Sequence, residues 1–280
     1  NLVHDPKEAD QKRVDELPRL PKAISELLEA VNNENSSVKS ISSKVAQDTL
    51  ISARVLRLAN SAHFGRSREV GSIDEAVIRL GMQTLRTLVI ASAVVGAIPK
   101  VEGVDLADFW GTTFEISLYA QELAKRCNVP ADEAFTCGIL HNIGDLLIAT
   151  VEPSLAAQIR AAAEQGGDTQ DLEMKLLGFD SPSVGALLAK NWKFTPTLVA
   201  GIEYQRNPKD AQPQSKLAIL MYLSHHIYTH WDDERGEEPF TAWLAGLINN
   251  AGIIKMDMSG LTDKLVELRG KGIEIGKQLA

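Results

Sequence analysis

Apolar side chains recur every three or four residues along nearly the whole chain, and runs alternating apolar with polar residues are scarce. That period gathers hydrophobic groups on one face of a helix but scatters them over both faces of a strand, so the expected fold is all-α. Leu20, Ile24, Leu27, Leu28 and Val31 make one such stripe, with Pro21 suited to a first turn. Ser37 can cap a helix carrying Val38, Ile41 and Val45, and the stretch Leu50 to Ala62 places Ile51, Val55, Leu58 and Ala59 together. Ser72 can cap a helix bearing Ile73, Ala76, Val77 and Leu80. Gly81 separates it from Met82 to Ile98, which is apolar all round and so is expected inside the core. Further helices are expected over 105–127, 131–151, 154–165, 169–177, 182–192, 195–205, 213–230, 239–250 and 259–279. The strongest breaks, Pro99 to Val104 and Asn207 to Gln214, suggest two helical lobes followed by a closing helical segment.

The chain has 280 residues, enough to bury roughly three quarters of its unfolded surface. Hydrophobic residues at 44% and charged residues at 24% exclude disorder. The uncharged run Leu88 to Pro99 is too short to span a bilayer, and the N-terminus is polar rather than leader-like; a cytoplasmic location is expected, with no membrane partner. A net charge of −8 and the lack of an aromatic-rich basic stripe argue against a nucleic-acid partner. Cys127 and Cys137 read as buried thiols rather than a disulfide framework or a thiolate metal site.

Several phrases stand in a telling order: Leu17-Pro18-Arg19-Leu20-Pro21, Val55-Leu56-Arg57-Leu58-Ala59-Asn60-Ser61-Ala62, Ser72-Ile73 with Ala76-Val77-Ile78-Arg79-Leu80-Gly81, then Phe109-Trp110. Gly138-Ile139-Leu140-His141-Asn142-Ile143-Gly144 and Val184-Gly185-Ala186-Leu187-Leu188-Ala189-Lys190-Asn191-Trp192 follow. Together they resemble the HDOD family, the HD-related output domain of bacterial signalling proteins. By themselves most of these residues have structural readings: an extended entry before proline, helix ends at Asn60 and Ser61, and a helix break at Gly81. The resemblance implies an HD-domain-like multi-helical fold with an N-terminal lobe near 17–99 and a C-terminal, degenerate HD-like lobe near 104–230. Residues 1–16 would then be a tail, and 231–280 would be C-terminal helices packed on the domain.

HD phosphohydrolases hold divalent metals with converging histidines and aspartates, which supply hydroxide and neutralise phosphate charge. Carried onto this chain, the family's ligand positions read very differently. The histidine after Trp110 is Thr112, the His-Asp pair is His141-Asn142, and the Asp-His phrase is Asp180-Ser181. The later His-His-x-Pro is Gln205-Arg206-Asn207-Pro208, and the closing-helix aspartate falls near His225. Only His141 is retained, with His225 a substitute, so no metal and no cofactor is expected. The reading is a non-catalytic signalling or scaffolding module with a protein partner. Two alternatives remain open at this point. One is an atypical metal-dependent phosphohydrolase recruiting His141, His225 and Asp145 or Glu203; the other is a sensor of a small anion or nucleotide, lined by His141, Asn142, Gln205 and Arg206.

Other candidates have blander explanations. His226 and His230 share a helix face with Asp233 beyond them, but aromatics are interleaved and the acidic end looks solvated. His63, Arg66 and Arg68 read as a charged turn, and Trp110, Trp192, Trp231 and Trp243 as packing anchors. No phosphate loop or nucleophile elbow is present, and no Cys/His pair reads as a nucleophile with its base.

Overall fold

A computed structural model describes residues 20–61, 63–65, 69–98, 100–233, 237–252 and 254–279. The readings placed on the tail 1–16, on Leu17, Pro18 and Arg19, and on Ala62, Arg66, Arg68, Pro99 and Glu234 lie outside those residues, as does the side chain of Asp233. Among the described residues there is no strand, and the fold is all-helical.

The first helices are α1 (Lys22–Asn32), α2 (Val38–Ala46), α3 (Thr49–Ala59), α4 (Ile73–Leu80) and α5 (Met82–Ala97). Ser37 and Ser72 accept hydrogen bonds from Ser40 N and Glu75 N, the two caps anticipated from sequence. Helix α3 starts at Thr49, where Asp48 caps it, and ends before Asn60 rather than reaching Ala62. There the Asn60 side chain bonds both N and O of Val70, folding the following loop back. Helix α5 is buried on nearly every side, as its composition demands.

The next elements are α6 (Leu106–Lys125), α7 (Ala131–Leu140), α8 (Ile143–Val151), α9 (Pro153–Glu164), α10 (Thr169–Leu177), α11 (Ser181–Asn191), α12 (Pro196–Glu203) and α13 (Lys216–His230). Two expectations need correction here. The helix expected over 131–151 is broken at His141–Asn142 into α7 and α8. The helix expected from 213 begins at Lys216, where Ser215 caps it by accepting from Ala218 N. The stretch 131–151 has the length and apolar composition of a membrane span, but 78% of its most apolar window is buried against other helices.

The chain closes with α14 (Glu237–Ala251), α15 (Leu261–Leu268) and α16 (Lys271–Leu279). The helix expected over 259–279 is thus two, separated at Arg269 and Gly270. The break has a partner far away in sequence. Glu115, buried in α6, accepts from Gly270 N at 2.8 Å and Ile273 N at 2.9 Å, satisfying free N–H groups at the start of α16. Helix α16 lies directly against α6, since a Cβ on Gly276 would sit 2.3 Å from the backbone of Trp110 and Gly111. Arg57 of α3 adds a hydrogen bond to Gln278 O at 2.9 Å. A single hydrophobic cluster runs from Ile24 to Leu279, with Trp110, Phe114 and Tyr119 of α6 among its largest buried side chains. Cys127 and Cys137 are buried free thiols, and burial pushes the pKa of both upward, as expected of packing residues.

This packing predicts that Gly276→Ala lowers the unfolding free energy by about 2 kcal/mol or more, because two helix backbones must part. Gly246→Ala, on the exposed face of α14 with nothing within 4 Å, should raise it by about 0.5–1 kcal/mol. Urea unfolding of the two variants checks both signs.

Candidate functional site

The break between α7 and α8 presents His141 and Asn142 to the interior, and it frees backbone groups that must be satisfied. Gln205, just past α12, does part of this: its amide donates to His141 O at 2.7 Å and Ile202 O at 2.8 Å. His141 Nδ1 donates to Gly138 O, which leaves Nε2 as an acceptor. Burial holds the pKa of this imidazole down to about 4, so it is neutral at neutral pH. Asn142 is committed elsewhere. Its Nδ2 donates to Thr113 Oγ1 at 2.8 Å, and that hydroxyl donates to Phe109 O at 2.8 Å.

Gly144 brings the next wall close. A Cβ there would meet Ser181 O at 2.0 Å, so α8 lies against the start of α11 with no room for a side chain. This contact sets Ser181 among Arg206, Glu173 and Asp145. Arg206 Nη2 donates to Ser181 Oγ at 3.0 Å, while Nη1 donates to Glu173 Oε1 at 2.5 Å and Gln170 Oε1 at 2.6 Å. Glu173, 3% exposed, also accepts from Ser181 N at 3.3 Å. Gln170 in turn donates to Asp180 Oδ2 at 2.9 Å, and Asp180 Oδ1 caps α11 by accepting from Ser183 N. Asp145 hydrogen-bonds Ser181 and feels the charge of Arg206, but burial prevails and raises its pKa. The same burial raises Glu173 against the pull of Arg206.

His225, on α13, is close enough to His141 and Arg206 to feel both. Its ring keeps accessible surface while protein crowds most of it, as on the wall of a concavity, and that crowding lowers its pKa to about 4. His141, Ser181, Arg206 and His225 therefore converge, with Gln205 bracing the break and Asn142 locked into α6. Thr112 is oriented differently, with its hydroxyl 3.2 Å from Tyr228 OH. Glu203 is exposed, and Asp145 is the carboxylate that borders the site. Arg206 does not stand as an unbalanced positive charge at this centre, because Glu173 supplies a counter-ion.

Glu173 and Gln170 were not singled out from sequence. They sit on the short helix α10 in an ordinary polar–apolar pattern, and only the tertiary fold brings them to Arg206. The second histidine cluster is an aromatic column. Tyr222, His226, His230 and Trp243 follow one another with centroids 4.1, 5.6 and 5.8 Å apart, the two imidazoles stacked and the outer pairs tilted. The Nδ1 atoms of His226 and His230 lie 2.8 and 3.2 Å from backbone carbonyls one turn earlier. His63 reaches Gln121 Oε1 at 3.3 Å. Among the described residues no three His, Cys, Asp or Glu side chains gather at metal-holding spacing.

The donor set around His141 does not fit a divalent metal. Glu173 there is paired with a guanidinium, the same positive charge is felt at Asp145 and His225 and would repel a dication, and among the described residues no three ligating side chains gather at it. Arg206→Leu should therefore cost about 3 kcal/mol by leaving Glu173 buried without its cation. That is the low end for a buried pair, because Arg206 is 30% exposed. Adding Glu173→Leu should recover most of the loss, as urea unfolding would register. His141 makes a second test. The unfolded chain takes a proton near pH 6.5, but the folded chain resists until about 4, so the stability present above 6.5 is lost as pH falls toward 4. Over that window the protein should lose up to about 3 kcal/mol more than His141→Gln does. The matched comparison is needed because the raised Asp145 and Glu173 act with the opposite sign.

The chain matches the HDOD domain family model over residues 17–208. A crystal structure of a Shewanella amazonensis SB2B protein named as a candidate phosphohydrolase is 57% identical, covers 99% of both chains and superposes with a TM-score of 0.91. An HDOD domain protein of unknown function from Geobacter sulfurreducens is 19% identical over 98% of this chain and 99% of its own, with a TM-score of 0.79. A candidate signal transduction protein from Marinobacter aquaeolei VT8 is 22% identical over 100% of this chain and 67% of its own, at a TM-score of 0.76. An uncharacterized Treponema pallidum protein is 26% identical over 231 residues, and the chain spans 44% of its length. The family match, covering most of the chain, agrees with the order of phrases and with the helical architecture: this chain belongs to the HDOD domain family.

Proposed function

We propose that this protein is a non-catalytic signalling output module, acting through contacts with a protein partner, in which a built-in guanidinium stands at the degenerate HD metal centre. The observation that carries the reading is the Arg206 cluster. Its fixed positive charge is held by Glu173, Gln170 and Ser181, and it is felt at Asp145 and His225, where it would repel a dication. An arginine cannot lower the pKa of a water as a bound dication does, and it stays protonated throughout the neutral range. With Asn142 tied to Thr113 and Thr112 turned to Tyr228, the remaining family positions supply neutral groups. The signal-transduction name of the Marinobacter relative agrees with this role. The net charge of −8 supports a protein rather than a nucleic-acid partner.

The rival reading, a metal-dependent phosphohydrolase, draws on the name of the Shewanella relative. In that case His141 and His225 would have to hold a metal with Asp145. The purified protein separates the two. We expect no stoichiometric iron, manganese or zinc by elemental analysis, and no hydrolysis of bis(p-nitrophenyl) phosphate with added manganese. Hydrolysis that disappears in His141→Ala would establish the rival instead.

A further inference from the structure

Beside the Arg206 cluster, and not lined by His141, Asn142, Gln205 or His225, lies a second cavity of about 280 Å³ between the start of α6 and helices α8, α9 and α10. Phe109, Leu146, Ile148 and Ile159 give it hydrocarbon walls, and Ala156 and Ala163 of α9 leave the room that larger side chains would fill. The volume is about nine waters' share of liquid, the size of a molecule of nine or ten heavy atoms.

Few polar groups interrupt these walls, and two carry charge that is not balanced by an ion pair. Glu173 is already paired with Arg206. Asp145 also lines the cavity, yet among the described residues no cation lies within ion-pair distance of it. Asp145 keeps exposed surface as a residue, while its carboxyl hydrogen-bonds Ser181, feels Arg206 from beyond ion-pair distance, and is crowded enough by protein to push its pKa up. Arg160, on exposed α9 surface at the same cavity, has no carboxylate partner among the described residues. A hydrocarbon chamber with one acid and one base, not joined to each other, has the pattern of a site in which apolar walls supply affinity and a few polar groups fix orientation.

We propose that this cavity is a binding site for a small zwitterion, with its ammonium at Asp145, its carboxylate at Arg160 and its hydrocarbon body between Phe109, Ile148 and Ile159. The site includes neither His141 nor His225, although it uses the Asp145 that the rival metal-dependent reading would recruit. Occupancy would nevertheless be felt at the Arg206 cluster, because Glu173 belongs to both.

Titration calorimetry with 6-aminohexanoate, L-leucine, hexylamine and hexanoate tests the proposal on the full chain. Saturable binding of a zwitterion is expected, with hexylamine and hexanoate at least about tenfold weaker, since each lacks one charged contact. Asp145→Asn should weaken the zwitterion at least about tenfold while leaving hexanoate unchanged, and Arg160→Gln should weaken the zwitterion similarly while leaving hexylamine unchanged. Ala163→Leu, at a partly exposed cavity position, should abolish binding with an unchanged melting temperature. Arg160 is exposed, so its variant stays informative even if Ala163→Leu misfolds. Failure of both zwitterions to saturate at millimolar concentration would overturn the proposal. So would equal binding of hexylamine or hexanoate, or zwitterion affinity unchanged in Arg160→Gln.

Discussion

A carboxylate that is 3% exposed needs a cation, and the Arg206 guanidinium meets that need at Glu173. The surrounding structure is arranged to make the meeting feasible. Helix α10 delivers Glu173 and Gln170, the turn after α12 delivers Arg206, and the first residue of α11 delivers Ser181 through both its backbone N and its hydroxyl. Gly144 allows α8 close enough to α11 for Ser181 to take that place. A planar donor fork bonded to three partners fixes these elements in relative orientation, which a hydrated lysine ammonium would do less well.

The same centre explains the kinked path of the chain through its most apolar region. The interruption at His141–Asn142 turns α8 toward α11, and Gln205 satisfies the carbonyl that the interruption frees. Structural repair and site construction are therefore performed by adjacent residues, Gln205 and Arg206. On α6, two residues along from the Thr113 that holds Asn142, Glu115 has a comparable role, a buried carboxylate that terminates one break and begins α16. Both breaks were invisible to apolar periodicity, which continues across them; what marks them is a polar side chain distant in sequence.

Much of the architecture was legible in the residues, for physical reasons that can be named. Ser37 and Ser72 precede apolar stripes, and local capping chemistry alone decides their role. Helix α5 could only be buried, given its composition. His141, Asn142, Ser181 and Arg206 were reached through the order of family phrases rather than through any periodicity. Glu173, Gln170 and Thr113 were missed because their importance comes from partners 33, 36 and 29 residues away. The direction of Arg206 was similarly hidden, since its counter-ion is the same distant Glu173.

Family membership and lost metal ligands are different kinds of statement. The first follows from the match over 17–208, and the second depends on where a few side chains point. Diffraction from crystals soaked in manganese chloride, collected to use the metal's anomalous signal, tests that point most directly. The account predicts no anomalous peak between His141, His225 and Asp145, with the guanidinium in density against Glu173. A strong peak there, with Arg206 swung out to solvent, would contradict it.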